Sequence, residues 1–194
     1  MKLEFQPLEN SAVRLEPLAE THREGLRAAA HSGVDWTVFY AGMTGPAFEA
    51  WFEHSLKSAD PTREHVYAVR DRRSKELVGS SRFLNIAPEH ARVEIGATWY
   101  ARAAQGSAIN PATKLLLFGH AFSCGANRVE LKVDARNARS RAAVLKLGAK
   151  EEGILRRHMI HHDGYVRDSV YFSVIAEEWP KVRAGLEARI NTPP

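Results

Sequence analysis

A glycine-containing turn that leads into a helix is the part of this sequence best suited to bind an anion. Residues 99–114 read WYARAAQGSAINPATK, which predicts a strand, a turn of small residues and then a helix. The first N–H groups of a helix lack partners and carry partial positive charge, so they favour phosphate. Small side chains at 106–108 let a ligand approach those groups closely. Asn110 and Pro111 predict the helix start, as its cap and its first residue.

Two other kinds of phosphate or metal site are less well supported by the residues. A nucleotide P-loop needs Gly-Lys-Ser/Thr after the turn, and no such tripeptide follows here. His161, His162 and Asp163 are metal-ligand types, but they occupy a turn with no fourth ligand nearby in sequence. We therefore expect the turn to bind a phosphate, although these residues leave open which molecule carries it, and we expect no metal.

Alternating and periodic apolar residues predict the elements that must hold this turn in place. Strand-like runs at 65–70, 77–86 and 92–100 favour an antiparallel meander that ends at the turn. The apolar helix 111–124 and the strand 128–134 follow, and a strand, helix, strand order favours parallel pairing. The remaining predicted elements are a strand at 13–17, helices at 18–30, 46–56, 137–147 and 177–190, and a hairpin of strands 154–160 and 165–174 around Asp163-Gly164.

Composition limits the class of protein. The chain has 194 residues, 44% hydrophobic and 26% charged, which suits one domain spanning 1–194. Its formal charge of +4 is spread along the chain, so we expect no nucleic acid as the primary partner. No run approaches the roughly 20 apolar residues of a membrane span, and the first residues lack a signal-peptide core. The lone cysteine, Cys124, excludes an internal disulfide, and we expect a cytoplasmic protein with no membrane partner.

Three segments in order resemble the GCN5-related N-acetyltransferase (GNAT) superfamily, and within it the RimJ and RimL branch of ribosomal-protein N-terminal acetyltransferases. They are the AAQGSA turn before a buried helix, the strand RVELKVD and the helix opening NARSRAAVLKLGA. The resemblance is strongest over 77–174. The superfamily's phosphate loop, Q/R-x-x-G-x-G/A, aligns with 103–108, where Ala103 replaces the usual Gln or Arg. The resemblance implies an α/β fold with a central mixed, mostly antiparallel, twisted sheet of about seven strands and helices on both faces.

The resemblance also implies that the cosubstrate is acetyl-coenzyme A. Its pyrophosphate would lie on the turn at 105–110, and its pantetheine arm along the strand that ends at Trp99 and Tyr100. Family members part that strand from the next parallel one, here 128–134, and Asn137 would bond the pantetheine or the pyrophosphate end. The cofactor-binding residues implied in this way are Trp99, Tyr100, Gln105, Gly106, Ser107, Ala108, Ile109, Asn110 and Asn137.

Acetyl transfer needs a neutral amine, a polarised thioester carbonyl and a proton for the departing thiolate. Glu94 is the candidate base, acting through a water, or else a strand carboxylate paired with Arg82 or Arg92. Ser140 matches the serine that the branch places near the thiol, where it would bond or protonate the sulfur. The alternative for Ser140 is an early helix residue that bonds its own backbone. Tyr171 is a second candidate acid, or else a core aromatic.

The acceptor is a primary amine whose class the residues leave open. Trp36, Phe39 and Tyr40 fall between the first two helices and form either an aromatic wall of the acceptor site or a staple for the loop. We expect a protein N-terminal α-amine, which with a pKa of about 8 needs a weaker base than a lysine amine. The alternatives are a small amine, such as an amino acid, polyamine or antibiotic, and an inactive coenzyme A-binding module suggested by Ala103. The family also suggests a homodimer.

Overall fold

The computed structural model describes residues 1–36, 43–58, 62, 64–161 and 163–191. Its strands, in chain order, are β1 (Leu8–Glu9), β2 (Val13–Pro17), β3 (His65–Asp71), β4 (Leu77–Ala87), β5 (Arg92–Tyr100), β6 (Arg128–Asp134), β7 (Lys150–Ile160) and β8 (Val166–Ile175). Its α-helices are α1 (Arg23–Ala30), α2 (Pro46–Lys57), α3 (Ile109–Ser123), α4 (Ala138–Lys146) and α5 (Trp179–Asn191).

The strands of the described ranges form one eight-stranded sheet in the order β1-β2-β3-β4-β5-β6-β8-β7. Neighbouring pairs are antiparallel except β5 and β6, which run parallel because α3 returns the chain between them. The predicted mixed, mostly antiparallel sheet is confirmed. The strand beyond the seven expected is β1, whose two residues are too few to produce a sequence pattern.

Different helices cover the two faces of the sheet. Along β3, Tyr67 and Val69 are buried in one hydrophobic cluster, which also holds Phe118 of α3 and Leu186 of α5. Ala68 lies between them in sequence, points to the other face and packs in a second cluster with residues of α1 and α2. This alternation follows from the strand geometry, which turns successive side chains to opposite faces. Helices on both faces are confirmed, and the face that carries Ala68 is called the α1/α2 face below.

The parallel strands β5 and β6 pair only where they begin. Their register starts with Arg92 opposite Arg128 and ends with Glu94 opposite Glu130. The remaining residues of both strands, up to Tyr100 on β5, are not paired with each other within the described ranges. The two strands therefore part and leave a gap in the middle of the sheet.

A bulge in β5 accompanies this gap. Gly96 pairs with Arg82 and Trp99 pairs with Ser80, so β5 advances three residues while β4 advances two. Ala97, inside the bulge, has a φ of 45°. Because a bulge bends its strand and increases its twist, it turns the end of β5 away from β6.

The start of α3 differs from the prediction. The helix begins at Ile109, and its N-cap is Ala108, whose side chain offers no acceptor. Ser107 Oγ accepts the Ile109 N–H instead, at 3.2 Å. The expectation that Asn110 caps the helix is therefore wrong. Pro111 lies in the first turn, where a missing N–H costs no hydrogen bond.

Two other elements differ in extent from their sequence patterns. β7 begins at Lys150 rather than at 154, and α1 begins at Arg23 after a 3₁₀ turn over Glu20–His22. No helix in the described ranges is long and apolar enough to cross a membrane.

Candidate functional site

The turn before α3 presents a row of free backbone donors. Gly106 has a φ of 81°, a left-handed conformation that suits glycine, and a Cβ placed there would meet nothing within 4 Å. Within the described residues, no acceptor is recorded for the N–H groups of Gly106, Ser107, Ala108 and Asn110. These donors lie at the positive end of the α3 dipole, so the turn fits a diphosphate.

Side chains of β5 and the turn hold this backbone in shape. The Tyr100 hydroxyl donates to Asn110 Oδ1 at 3.2 Å, and Gln105 Nε2 donates to the Tyr100 carbonyl at 2.9 Å. Gln105 Oε1 accepts from Arg139 Nη2 of α4 at 2.8 Å. Burial raises the pKa of Tyr100, so its hydroxyl stays protonated as a donor. The side chains of Gln105 and Asn110 therefore brace the turn, while its backbone remains open to a ligand.

Trp99, just before this turn, is buried under α1 and α2. Its indole packs edge-on against both Trp36 and Trp51, with ring centroids 5.6 Å from each. Trp99 as a whole is 1% exposed, so its indole does not line the gap between β5 and β6. Phe39 and Tyr40, the other two predicted acceptor-site aromatics, lie outside the described residues. The role of Trp51 was missed because helical periodicity marks it as apolar without showing its neighbours.

Asn137 and Ser140 lie at the start of α4. Asn137 is the N-cap, is buried, and accepts the Ser140 backbone N–H on its Oδ1 at 2.9 Å. No hydrogen bond of the Ser140 hydroxyl to another described residue is recorded, so the alternative in which it bonds its own backbone is not observed. The bond between Arg139 and Gln105 places the start of α4 beside the turn that precedes α3.

A cavity of about 520 Å³ lies on the α1/α2 face, next to the point where β5 and β6 part. Its polar lining comes from Glu64, Asn85, Arg92, Glu94, Glu130 and Tyr171. The structure thus brings two of the three predicted catalytic residues, Glu94 and Tyr171, to one cavity. Ser140 is not part of its lining.

The two oxygens of Glu94 have different surroundings. Oε2 accepts from Asn85 Nδ2 at 2.8 Å and lies 3.4 Å from Lys132 Nζ. Among the described residues no donor to Oε1 is recorded, and a Cβ on Gly96 would come within 3.1 Å of it. The carboxylate is buried. Because Asn85 and Lys132 hold Oε2 in place, Oε1 stays available to a water or an amine.

The expected partners of Glu94 bond other carboxylates. Arg82 is buried and lies 3.1 Å from Glu64, and Arg92 lies 3.3 Å from Glu130. The alternative in which Glu94 is a strand carboxylate paired with Arg82 or Arg92 is therefore not observed. Residues of the two neighbouring strands reach Glu94 instead, which spacing along one strand does not reveal.

Sequence reasoning missed those two residues, Asn85 and Lys132. Period-two alternation in RVELKVD puts Lys132 on the same face as Glu130, but only the register of β6 against β5 brings it to Glu94. Asn85 has a φ of 48° in the irregular end of β4, where no alternation holds. The contacts of both residues with Glu94 can therefore be recognised only from the tertiary structure.

Tyr171 lies half-buried on β8 beside two basic side chains. Lys132 Nζ is 6.0 Å from the centre of its ring, and the His158 ring is 5.7 Å away. Burial first, and then the negative charge of Glu94, raises the pKa of Tyr171. The hydroxyl thus remains protonated and can donate to an anion formed in the cavity.

The turn that carries His161 and Asp163 forms no recognisable metal centre in the described part of the chain. His161 Nε2 lies 3.8 Å from Asp134, and His162 lies outside the described residues. Among the residues that are described, no group of three or more His, Cys, Asp or Glu side chains is arranged to hold a metal ion.

Comparisons with known proteins agree with this geometry. Residues 12–150 match the sequence model of a family described as the acetyltransferase (GNAT) domain. A Bacillus subtilis (strain 168) protein named uncharacterized N-acetyltransferase YoaA is 29% identical over 114 residues, which span 56% of this chain and 61% of that protein.

Solved structures with the same fold extend over nearly the whole chain. A GCN5-related N-acetyltransferase from Brucella melitensis superposes with a TM-score of 0.87 and 29% identity, covering 95% of this chain and 85% of that one. Mycobacterium smegmatis RimJ, in complex with CoA-disulfide, superposes with a TM-score of 0.72 and 24% identity, covering 94% and 92% of the two chains.

Proposed function

This chain belongs to the GNAT family of acetyltransferases, and on that premise we propose that it acetylates the α-amine of a protein N-terminus with acetyl-coenzyme A. One observation carries the proposal. The gap between β5 and β6 has free phosphate-binding N–H groups at one end and the cavity with Glu94 and Tyr171 at the other. A cosubstrate with a diphosphate and a long neutral arm is the kind of molecule that such a gap accommodates.

Different residues around the gap bind different parts of acetyl-coenzyme A. The N–H groups of Gly106, Ser107, Ala108 and Asn110 bind the pyrophosphate, and the unpaired edges of β5 and β6 hydrogen-bond the pantetheine amides. Asn137 caps α4, whose Arg139 bonds the turn through Gln105, and it bonds the same arm. The coenzyme A complex of the Mycobacterium smegmatis relative supports this choice of ligand.

Acetyl-coenzyme A supplies the activated thioester, and the chain supplies the proton transfers. Glu94 Oε1 accepts the proton of the attacking amine through a water, while Asn85 and Lys132 hold Oε2. A backbone N–H near Trp99 or Tyr100 polarises the carbonyl. Tyr171, on the cavity wall, donates the one proton that the departing thiolate needs, and the Ser140 hydroxyl hydrogen-bonds the sulfur.

An N-terminal α-amine suits this arrangement better than a lysine side chain. An α-amine with a pKa of about 8 is neutral in roughly a tenth of molecules at pH 7, whereas a lysine amine is neutral in far fewer. A single carboxylate acting through water is therefore a sufficient base. The resemblance of the sequence to the RimJ and RimL branch of ribosomal-protein N-terminal acetyltransferases supports the same acceptor class.

Calorimetry of acetyl-coenzyme A binding tests the first half of the proposal, with Gly106→Ala and Gly164→Ala as matched variants. Both glycines have left-handed φ values, 81° and 84°, and a Cβ at either would meet nothing within 4 Å. An alanine should therefore strain the backbone equally at both positions. Only the methyl group at position 106 would occupy the space in front of the turn that precedes α3. We expect a Kd weaker by on the order of tenfold for Gly106→Ala and an unchanged Kd for Gly164→Ala.

Thiol release with a panel of acceptors tests the second half. Peptides with free N-termini should support turnover, while the same peptides with acetylated N-termini and an internal lysine should not. Absence of acetyl-coenzyme A binding would refute the proposal as a whole. Turnover with polyamines or free amino acids, and none with peptides, would show that the acceptor is a small amine. The proposed binding of acetyl-coenzyme A would then still hold.

A further inference from the structure

Arg167 of β8 is a buried cation without a partner in the described part of the chain. Its side chain is 8% exposed, and its Nε has no hydrogen-bond partner. Among the described carboxylates, none lies within ion-pair distance of its guanidinium. A buried charge is costly unless an opposite charge or hydrogen bonds compensate it, so the isolation of Arg167 calls for an external partner.

The two carboxylates that act on Arg167 electrostatically are already engaged. Asp134 accepts from the Arg136 guanidinium at 3.1 Å, and Glu94 is held by Asn85 and Lys132. Burial lowers the pKa of Arg167, while the charges of Asp134 and then Glu94 oppose that shift. The guanidinium thus lies near both carboxylates without being bonded to either of them.

The charges that line the cavity, of which Arg167 is not one, are balanced within the protein. Glu64 pairs with Arg82 at 3.1 Å, and Glu130 pairs with Arg92 at 3.3 Å. The carboxylates of the cavity wall therefore have cations of their own. Among the described residues, Arg167 is a buried charge that lacks such a partner.

Arg167 and Tyr171 lie on the same face of β8, which is the α1/α2 face. They are four residues apart on a strand, and side chains at that spacing point to the same side. Their Cα atoms are about 13 Å apart along the strand, and the long arginine side chain covers part of that distance. An anionic group bound to Arg167 would therefore belong to an acceptor residue one or two positions from the amine that reacts at Glu94.

We propose that Arg167 binds an anionic group of the acceptor, a carboxylate or a phosphate close behind its reacting amine. The inference rests on the proposed function, since it names the class of N-terminus that the same site accepts. A peptide with an acidic or phosphorylated side chain in its first few residues has this chemistry. An N-terminus that carries only neutral side chains would leave Arg167 unpaired and bind less well.

Pairs of peptides that differ only in this charge test the proposal. Three peptides with amidated C-termini begin with the same residue, serine. The second residue carries a carboxylate in Ser-Asp, a phosphate in Ser-phosphoserine and a neutral amide in Ser-Asn. We expect the wild-type kcat/KM to be about tenfold higher for the two anionic peptides, with most of the difference in KM. Arg167→Met should abolish that preference, and Arg167→Lys should retain part of it.

Arg156→Met is the matched control. Arg156 lies exposed on the neighbouring strand β7, so its loss changes the net charge equally but leaves the acceptor site intact. This variant should keep the wild-type preference. The Kd for acetyl-coenzyme A should be unchanged in all variants, which separates the acceptor site from the cofactor site.

A second readout does not depend on turnover. Inorganic phosphate, added to protein saturated with coenzyme A, should raise the Tm of the wild type but not that of Arg167→Met. Equal kcat/KM for acidic and neutral peptides, or equal phosphate stabilisation of wild type and variant, would overturn the inference. Neither result would affect the proposed function, which fails only if acetyl-coenzyme A does not bind or no peptide N-terminus is acetylated.

Discussion

Glu94 combines features that are difficult to obtain at one carboxylate. It is buried away from bulk solvent, yet among the described residues no donor to Oε1 is recorded, and the residue lines a cavity of about 520 Å³. Asn85 and Lys132 hold Oε2 and thereby fix the direction in which Oε1 points. A general base needs this combination of fixed geometry and access.

At the residue scale, Glu94→Gln should lower kcat by about 10²- to 10³-fold, because an amide cannot accept the proton of the amine. The Kd for acetyl-coenzyme A should not change, since Glu94 lies at the other end of the gap from the turn proposed to bind the pyrophosphate. Stopped assays of thiol release and calorimetry measure the two quantities separately.

Glu130→Gln is a matched control for that prediction. Glu130 lines the same cavity, but its two oxygens are taken by Arg92 and Arg128 at 3.3 and 2.8 Å. Its kcat should stay close to that of the wild type. An equal loss in both variants would mean that the cavity needs its negative charge and has no dedicated base.

At the scale of the elements, α3 carries a buried lysine against the bulged part of β5. Lys114 Nζ donates to Thr98 Oγ1 at 2.7 Å and to Ser81 Oγ at 3.3 Å. These two hydroxyls also bond each other at 2.7 Å, so they would remain partnered without the lysine. Burial lowers the pKa of Lys114 to about 7.

This lysine makes stability depend on pH. Between about pH 7 and pH 10.5 the unfolded chain holds the Lys114 proton and the folded chain releases it, so the free energy of unfolding rises with pH. The slope from one such group is at most about 1.4 kcal/mol per pH unit. Lys114→Met should lose this slope and gain stability at pH 7, because the Ser81–Thr98 pair remains.

Urea unfolding of both proteins at pH 7, 8 and 9 measures the effect, and the difference between them cancels the contribution of other groups. Parallel curves for wild type and Lys114→Met would show that the lysine keeps its proton in the fold. The bulge itself is expected to survive the substitution, because β4 and β5 pair on both sides of it.

At the scale of the whole molecule, β7 is the long edge strand of the sheet. It has eleven residues, borders β8 on one side only within the described ranges, and leaves Ile154, Leu155 and Ile160 between 48% and 65% exposed. A long, apolar, unpaired edge is a site for association with another strand. A second copy of this chain is the partner that the family resemblance suggests.

We therefore expect a homodimer in sedimentation velocity at micromolar concentration. Ile154→Lys should shift the sedimentation coefficient towards that of a 21.7 kDa monomer. Leu145→Lys, at an equally exposed position on α4, should leave the dimer intact. Wild-type protein that sediments as a monomer would contradict the expectation.

Local patterns predicted most of the framework. Apolar alternation located β3 to β6 and β8 within about one residue, because each of these strands buries one or both faces. The same patterns missed β1 and the first residues of β7, since a two-residue strand and an exposed edge carry no such alternation. The turn at 105–110 was predictable because small residues before a helix are a local requirement.

The sequence by itself thus determined the order of most elements, the family and the glycine-containing turn before α3, all of which depend on neighbours along the chain. The tertiary structure alone decided which charges meet on the α1/α2 face. Glu94 is held by Asn85 from β4 and Lys132 from β6, while Arg167 is left without a partner in the described ranges. Such contacts depend on strand register and on the bulge in β5, and these are properties of paired strands rather than of any one segment.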